Sequence, residues 1–208
     1  MSSYLTLSSR TDRVAAIEIK RSRFLAVVRR VGDEDAARAL VADLRKQHHD
    51  ARHHCSAFIL GPTPSIERSN DDGEPAGTAG GPMLDVLRGR ELSDVAAVVV
   101  RWFGGTLLGA GGLVRAYGDA VAAALDGAPL VRRAQDDLFD LSVSHADAGK
   151  VESDLRARGV GVLGVDYLDR ALLHLAGDLD DLAPAVAEIT SGAGILQPAG
   201  TRWVDRPT

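Results

Sequence analysis

A two-domain α+β fold is what this sequence predicts, and three features carry the prediction. Two short apolar runs, Val14-Ala15-Ala16-Ile17-Glu18-Ile19 and Arg23-Phe24-Leu25-Ala26-Val27-Val28, flank the basic turn Lys20-Arg21-Ser22, the pattern of a β-hairpin. A non-alternating run, Val95-Ala96-Ala97-Val98-Val99-Val100, reads as a central strand covered on both faces, and a glycine loop joins it to an amphipathic helix. After Gly127-Ala128-Pro129 a second, complete rhythm of elements begins, which sets the domains at 1–130 and 131–208.

In the first domain, Asp33 caps a helix in which Ala37, Leu40, Val41 and Leu44 recur at helical spacing, with Arg38, Asp43 and Arg45 on the solvent side. Cys55-Ser56-Ala57-Phe58-Ile59-Leu60 follows as a strand that Gly61-Pro62-Thr63-Pro64 stops, and a long loop is expected up to Pro82. A short helix then spans Met83 to Arg88. Beyond the central strand, Leu113, Ala116, Tyr117, Ala120, Val121, Ala124 and Leu125 mark the amphipathic helix.

The second domain reads β-α-β-β-α-β, the ferredoxin-like order. Phe139, Leu141 and Val143 alternate with polar residues, and Ser144 with Asp147 resembles a capping box for a helix ending at Gly159. Val160 to Tyr167 and Ala171 to Leu175 form a hairpin around Leu168-Asp169-Arg170. Leu182, Val186 and Ile189 mark a helix ended by Gly192, and a last strand lies near Thr201 to Val204.

Composition narrows the function classes. The formal net charge of -5 and the scarcity of aromatic residues argue against a protein that coats nucleic acid by bulk charge or base stacking, leaving room for a local basic patch. No run approaches the roughly eighteen apolar residues of a membrane span, and Met1-Ser2-Ser3-Tyr4 opens no signal peptide. The lone Cys55 has no disulfide partner. A cytoplasmic protein without a membrane partner is expected.

Four motifs invite chemistry. Asp71-Asp72-Gly73-Glu74-Pro75-Ala76-Gly77-Thr78-Ala79-Gly80-Gly81-Pro82 packs three carboxylates and four glycines between apolar segments. Its carboxylates suit a metal or basic partner, and Thr78 with the following amides suits an anion at a helix start; a turn-rich, self-capped loop is the alternative. In the second, Gly104, Gly105, Gly109, Gly111 and Gly112 link the central strand to a helix, where backbone amides can face a phosphate or small residues can permit close packing. The P-loop pattern fails there because Ala110 and Gly111 follow Gly109, and the dinucleotide fingerprint fails at Val114. Third, Arg101 and Arg115, with Lys20, Arg21 and Arg23, either grip a phosphate or pair with Asp71, Asp72 or Glu74. Fourth, His48, His49, His53, His54 and Cys55 lack a second Cys/His group to complete four ligands, so no metal is assigned. Cys55 opens an apolar strand as a small hydrophobe, and no Gly-x-Ser-x-Gly elbow occurs.

Through Lys20-Arg21-Ser22-Arg23-Phe24, His53-His54-Cys55, the run from Asp71 to Gly80, Val98 to Gly105 and Gly109 to Tyr117, the chain resembles the YigZ/IMPACT family. The resemblance implies a ribosomal-protein-S5-domain-2-like N-terminal domain and a C-terminal ferredoxin-like domain similar to a late domain of the translocating elongation factor. Eukaryotic relatives regulate translation through a scaffold that activates a starvation-responsive kinase, using an additional domain that this sequence does not contain. The chain departs from the usual family pattern at Gly81, where lysine is common, and at Trp102, where tyrosine is usual.

The resulting expectation is a non-catalytic regulator or accessory factor of translation, without a cofactor, partnered by RNA, the ribosome or a translation-regulatory protein. Its binding face comprises Asp71, Asp72, Glu74, Thr78, Arg101, Gly104, Gly105, Gly109, Gly111, Gly112 and Arg115. The alternative is an enzyme acting on a small phosphorylated substrate or nucleotide, with the glycine loop as anion cradle, Arg101 as clamp and Asp72 or Glu74 as metal ligand or base.

Overall fold

The computed structural model describes residues 3–62 and 65–208, so Thr63 and Pro64 of the expected strand stop lie outside the described residues. The described residues divide into two compact units, one holding those up to Arg133 with Asp205–Thr208, the other Ala134–Val204.

In the first unit, β2 (Arg13–Ile19) and β3 (Ser22–Arg30) pair as the expected antiparallel hairpin. Lys20 and Arg21 both take positive φ, 47° and 66°, the pattern of a type I′ turn built without glycine. The central strand β6 (Val95–Trp102) lies between β3 and β4 (His53–Leu60), in the order β2-β3-β6-β4-β5. All four strand pairs of this sheet are antiparallel.

β6 is apolar on both sides because both are covered. Ala96, Val98 and Val100 pack with α1 (Glu34–Gln47), whose Leu40 and Leu44 are buried and whose first turn is capped by Asp33 accepting from Ala36 N. Val95, Ala97 and Val99 pack with α2 (Gly80–Gly89) and α3 (Ala110–Ala124). The parity of β6 therefore turns Arg101 toward α2 and α3 and Trp102 toward α1.

Three elements differ from the sequence reading. β1 (Ser3–Leu7) has no alternation to mark it, and β5 (Ile66–Asn70) forms inside the segment read as loop, pairing with β4. Helix α2 begins at Gly80 rather than Met83, because Pro82 sits in the first turn, where its missing N–H is not needed.

In the second unit, β7 (Leu130–Val143), β9 (Ala171–Ala176) and β8 (Gly161–Tyr167) are neighbours, with β10 (Leu196–Pro207) on the other side of β7. This is the ferredoxin-like order, carrying α4 (His145–Ala157) and α5 (Leu179–Ile189). Ser144 caps α4 as its sequence indicates, accepting from Asp147 N, while β7 and β10 extend well beyond the expected segments. The unit has its own core, centred on Leu141, Leu155, Leu173 and Leu175. No helix among the described residues is long and apolar enough to cross a membrane.

Candidate functional site

The acidic loop folds onto itself through Asp71. Its carboxylate accepts from Gly77 N, Ala79 N and Gly80 N at 2.8–3.0 Å, so the α2 N-terminus proposed for an outside anion already holds one from the chain. Burial alone would push the Asp71 carboxyl up, but the three amides outweigh it and hold it below the usual range. Thr78 is buried and donates to the Pro75 carbonyl at 2.6 Å. Asp72 turns the other way, accepting from His54 N at 2.6 Å and pairing with Arg45. The local twist is sharp enough to require positive φ at Asp72, Gly73 and Gly77.

Glu74 reaches inward instead. Its Oε1 accepts from Arg101 Nη1 and from the Tyr117 hydroxyl, each at 2.6 Å, and the two charged side chains are only 4% and 6% exposed. The Cys55 thiol has the Asp71 carbonyl at 3.0 Å and the Tyr117 hydroxyl at 3.3 Å within reach. Burial pushes the thiol up to about 12, and the nearby carboxylates of Glu74, Asp72 and Asp71 reinforce the shift against the hydrogen bond with Tyr117. Burial likewise raises the Tyr117 phenol, helped by Cys55 and Glu74, so the hydroxyl keeps its proton. The Arg101 guanidinium stands 5.4 Å from the Phe24 ring and 5.7 Å from the Phe103 ring, and Phe24 meets Tyr117 edge-on at 5.3 Å. Arg101 thus takes the pairing option of its two readings.

The glycine loop has two jobs at its two ends. A Cβ on Gly104 would lie 2.0 Å from the Arg21 carbonyl carbon, so only glycine permits the loop to cross the β2–β3 turn. Gly104 N donates to Ser22 Oγ and Arg21 Nη2 donates to Thr106 Oγ1, tying loop and turn together. Gly105 follows with φ +82°, and Gly109 caps α3 with φ +71° and no side-chain hydrogen bond. Gly112 packs beside Leu108, whereas Gly111 is exposed.

Arg115 does not join Arg101. It is exposed and donates to the Gly111 carbonyl one turn back. The histidines also separate: His53 Nδ1 meets the Asp72 carbonyl at 2.9 Å on the Arg101 side of β4, while His54 is buried on the α1 side. Because a carbonyl only accepts, Nδ1 of His53 carries the proton and Nε2 faces Glu74 Oε1 at 4.0 Å. Among the described residues no three His, Cys, Asp or Glu side chains converge as metal ligands.

The sequence reading misses Tyr117 and Cys55 as polar partners, since it places both in the core. A tyrosine on an apolar helix face is the available signal, because its buried hydroxyl needs a partner.

A pocket of about 370 Å³ opens over this network. Arg52, His53, Glu74 and Arg101 supply its polar lining, and Pro75, Phe103, Leu107, Leu108 and Leu113 its apolar walls, with the backbone at Gly109 and Ala110.

Comparison with known proteins places these features in a family. The Impact N-terminal domain matches residues 20–125, and a domain of unknown function (DUF1949) matches residues 141–193. The IMPACT family member YvyE of Bacillus subtilis is 44% identical over 154 residues, covering 74% of this chain and 70% of the relative. YigZ of Escherichia coli, also an IMPACT family member, is 40% identical over 161 residues, covering 76% and 79%. A solved crystal structure of a hypothetical protein superposes with a TM-score of 0.65 at 36% identity, over 94% of this chain and 97% of that one. With matches to both domain families and these identities, the chain belongs to the IMPACT family.

Proposed function

We propose that this chain is a non-catalytic accessory factor of translation that docks on ribosomal RNA through one end of its N-terminal sheet, residues 1–130 forming the docking domain and 131–208 the second. The translation setting comes from the family resemblance. The observation that carries the docking surface is a concentration of exposed cations at one sheet end in a chain of net charge -5. Lys20, Arg21 and Arg23 project from the β2–β3 hairpin, Arg52 precedes β4, and Lys46 lies in the last turn of α1. Arg23 stands 5.0 Å over the Trp102 ring, and His48 meets the same ring edge-on at 5.3 Å. A guanidinium and an aromatic plane side by side suit a phosphate and an unstacked base. Glu18, Asp50 and Asp72 bring opposing charge to this end, which limits the surface to a patch rather than a groove.

The catalytic clamp assigned to Arg101 in the alternative reading competes with its buried pairing to Glu74. Co-sedimentation of the full chain with ribosomes and separated subunits, at low and high salt, tests the docking reading. Wild-type protein is expected to pellet at low salt and leave at high salt, because binding to phosphates releases counterions. The Lys20→Gln/Arg21→Gln/Arg23→Gln variant should bind weakly, its salt slope smaller by about one for each phosphate it no longer neutralises. Wild-type protein remaining in the supernatant at low salt, with every ribosomal species, sinks the proposal.

A further inference from the structure

We infer that the pocket above the Glu74–Arg101 pair binds a small amphipathic anion, a carboxylate or phosphate ester attached to an apolar body about the size of one aromatic ring. This site shares Arg52 with the edge of the cationic docking patch but does not rest on that reading.

Its floor asks for a negative group. Arg101 is only 5% exposed and gives Nη1 to Glu74, while its Nε has no hydrogen-bond partner among the described residues. A buried donor without an acceptor is destabilising, and the guanidinium that carries it lines the pocket, where its charge and remaining donors attract an anion. The α3 N-terminus reaches the same pocket at Gly109 and Ala110. Side chains cap α1, α4 and α5 through Asp33, Ser144 and Asp178, and Asp71 meets the amides of α2, whereas Gly109 gives α3 no side-chain acceptor. A buried guanidinium and a helix start without a side-chain cap therefore line one cavity.

Glu74 does not cancel this attraction. Its Oε1 is already engaged by Arg101 and Tyr117, and Arg52 adds a second cation to the lining. Arg101 and Glu74 offset each other in charge, so the net attraction comes from Arg52 and the α3 N-terminus, with Arg101 supplying donors.

The walls ask for something apolar. Leu107 is 83% exposed and Phe103 45% exposed, yet both line this pocket beside Leu108 and Leu113. Exposed apolar side chains around a charged floor contribute little to the core, and a ligand body set between them removes that surface from water. Inorganic phosphate would use the floor alone. A volume of about 370 Å³ lies at the small end of ligand pockets, enough for one ring with its head group.

Titration calorimetry of the full chain with phenyl phosphate and with benzoate tests the inference, alongside inorganic phosphate and benzyl alcohol, each of which lacks one half of the pharmacophore. At least one of the first pair should bind saturably, and each half-ligand about tenfold or more weakly. Which of the pair binds identifies the head group. Arg52→Gln and Leu107→Asp lie at exposed positions and leave the fold intact, as circular dichroism will verify; each should weaken the amphipathic probe by about tenfold or more. No saturable binding of either amphipathic probe overturns the inference, as do equal affinity for a half-ligand and affinity unchanged in either variant.

Discussion

Replacing Glu74 by glutamine deletes one charge from the most enclosed arginine–carboxylate pair among the described residues while keeping its shape. The side chains of Arg101 and Glu74 are 6% and 4% exposed, so water replaces little of what is removed. Removing one partner of such a pair costs about 3–5 kcal/mol, and glutamine, which still offers a carbonyl to Arg101 and Tyr117, belongs at the low end, about 3 kcal/mol. For a unit of this size each kcal/mol lowers the melting midpoint by about 4 °C, a fall of roughly 12 °C. Arg101→Met should be similarly damaging because it strands the carboxylate. Glu74→Gln/Arg101→Met leaves no charge behind, and its loss should fall short of the summed single losses by about 2–3 kcal/mol. Urea unfolding of all four proteins by far-ultraviolet circular dichroism, with the slopes compared, measures the cycle. A Glu74→Gln loss below about 1 kcal/mol, or zero coupling, would falsify the claim that this pair is desolvated.

Two further perturbations probe the loop and the second unit. Gly104→Ala sets a Cβ 2.0 Å from the Arg21 backbone, a clash no rotamer relieves, and should cost about 3 kcal/mol or more. Gly105→Ala meets nothing within 4 Å and suffers only from its φ of +82°, about 1–2 kcal/mol; a reversed order of urea midpoints would remove the close-approach explanation of Gly104. In the second unit, His174 Nδ1 lies 2.6 Å from Asp140 and Nε2 3.1 Å from Asp166, and these hydrogen bonds raise its pKa above the ordinary 6.5 against a smaller effect of burial. A raised folded-state pKa means the stabilisation is fully present below about 6.5 and disappears as pH rises through the folded value. An NMR titration of the His174 ring should show the elevated pKa, and Asp140→Asn should bring it down; a wild-type midpoint at or below the ordinary value would contradict the geometry.

What can be read in the sequence is local chemistry, and what cannot is set by partners distant along the chain. The β2–β3 hairpin, the Asp33 and Ser144 caps and the doubly covered β6 each announce themselves within a few residues. β5 does not: Ile66-Glu67-Arg68-Ser69-Asn70 carries a single apolar residue and is largely exposed. It becomes a strand because β4 offers an edge, and its charges keep the new edge from pairing further. Gly80-Gly81-Pro82 reads as loop for the same reason, since the demand for glycine at position 80 comes from Asn70, whose backbone N would lie 2.7 Å from a Cβ there.

Arg101 and Arg115 show where local reading ends for the site. Both flank the glycine loop, and nothing in their immediate neighbours separates a buried ion-pair partner from a solvent-facing helix residue. Strand parity makes the distinction. Arg101 shares the β6 face of Val95, Ala97 and Val99, which packs on α2 and α3, and there it meets Glu74 and Tyr117. Arg115 lies between Leu113 and Ala116 on α3, turned away from that buried stripe. The acidic loop then completes the arrangement, because Asp71 holding the start of α2 is what brings Glu74, three residues on, down onto Arg101. Asp71 therefore acts on the candidate pocket as a positioning residue, through loop geometry, without lining it.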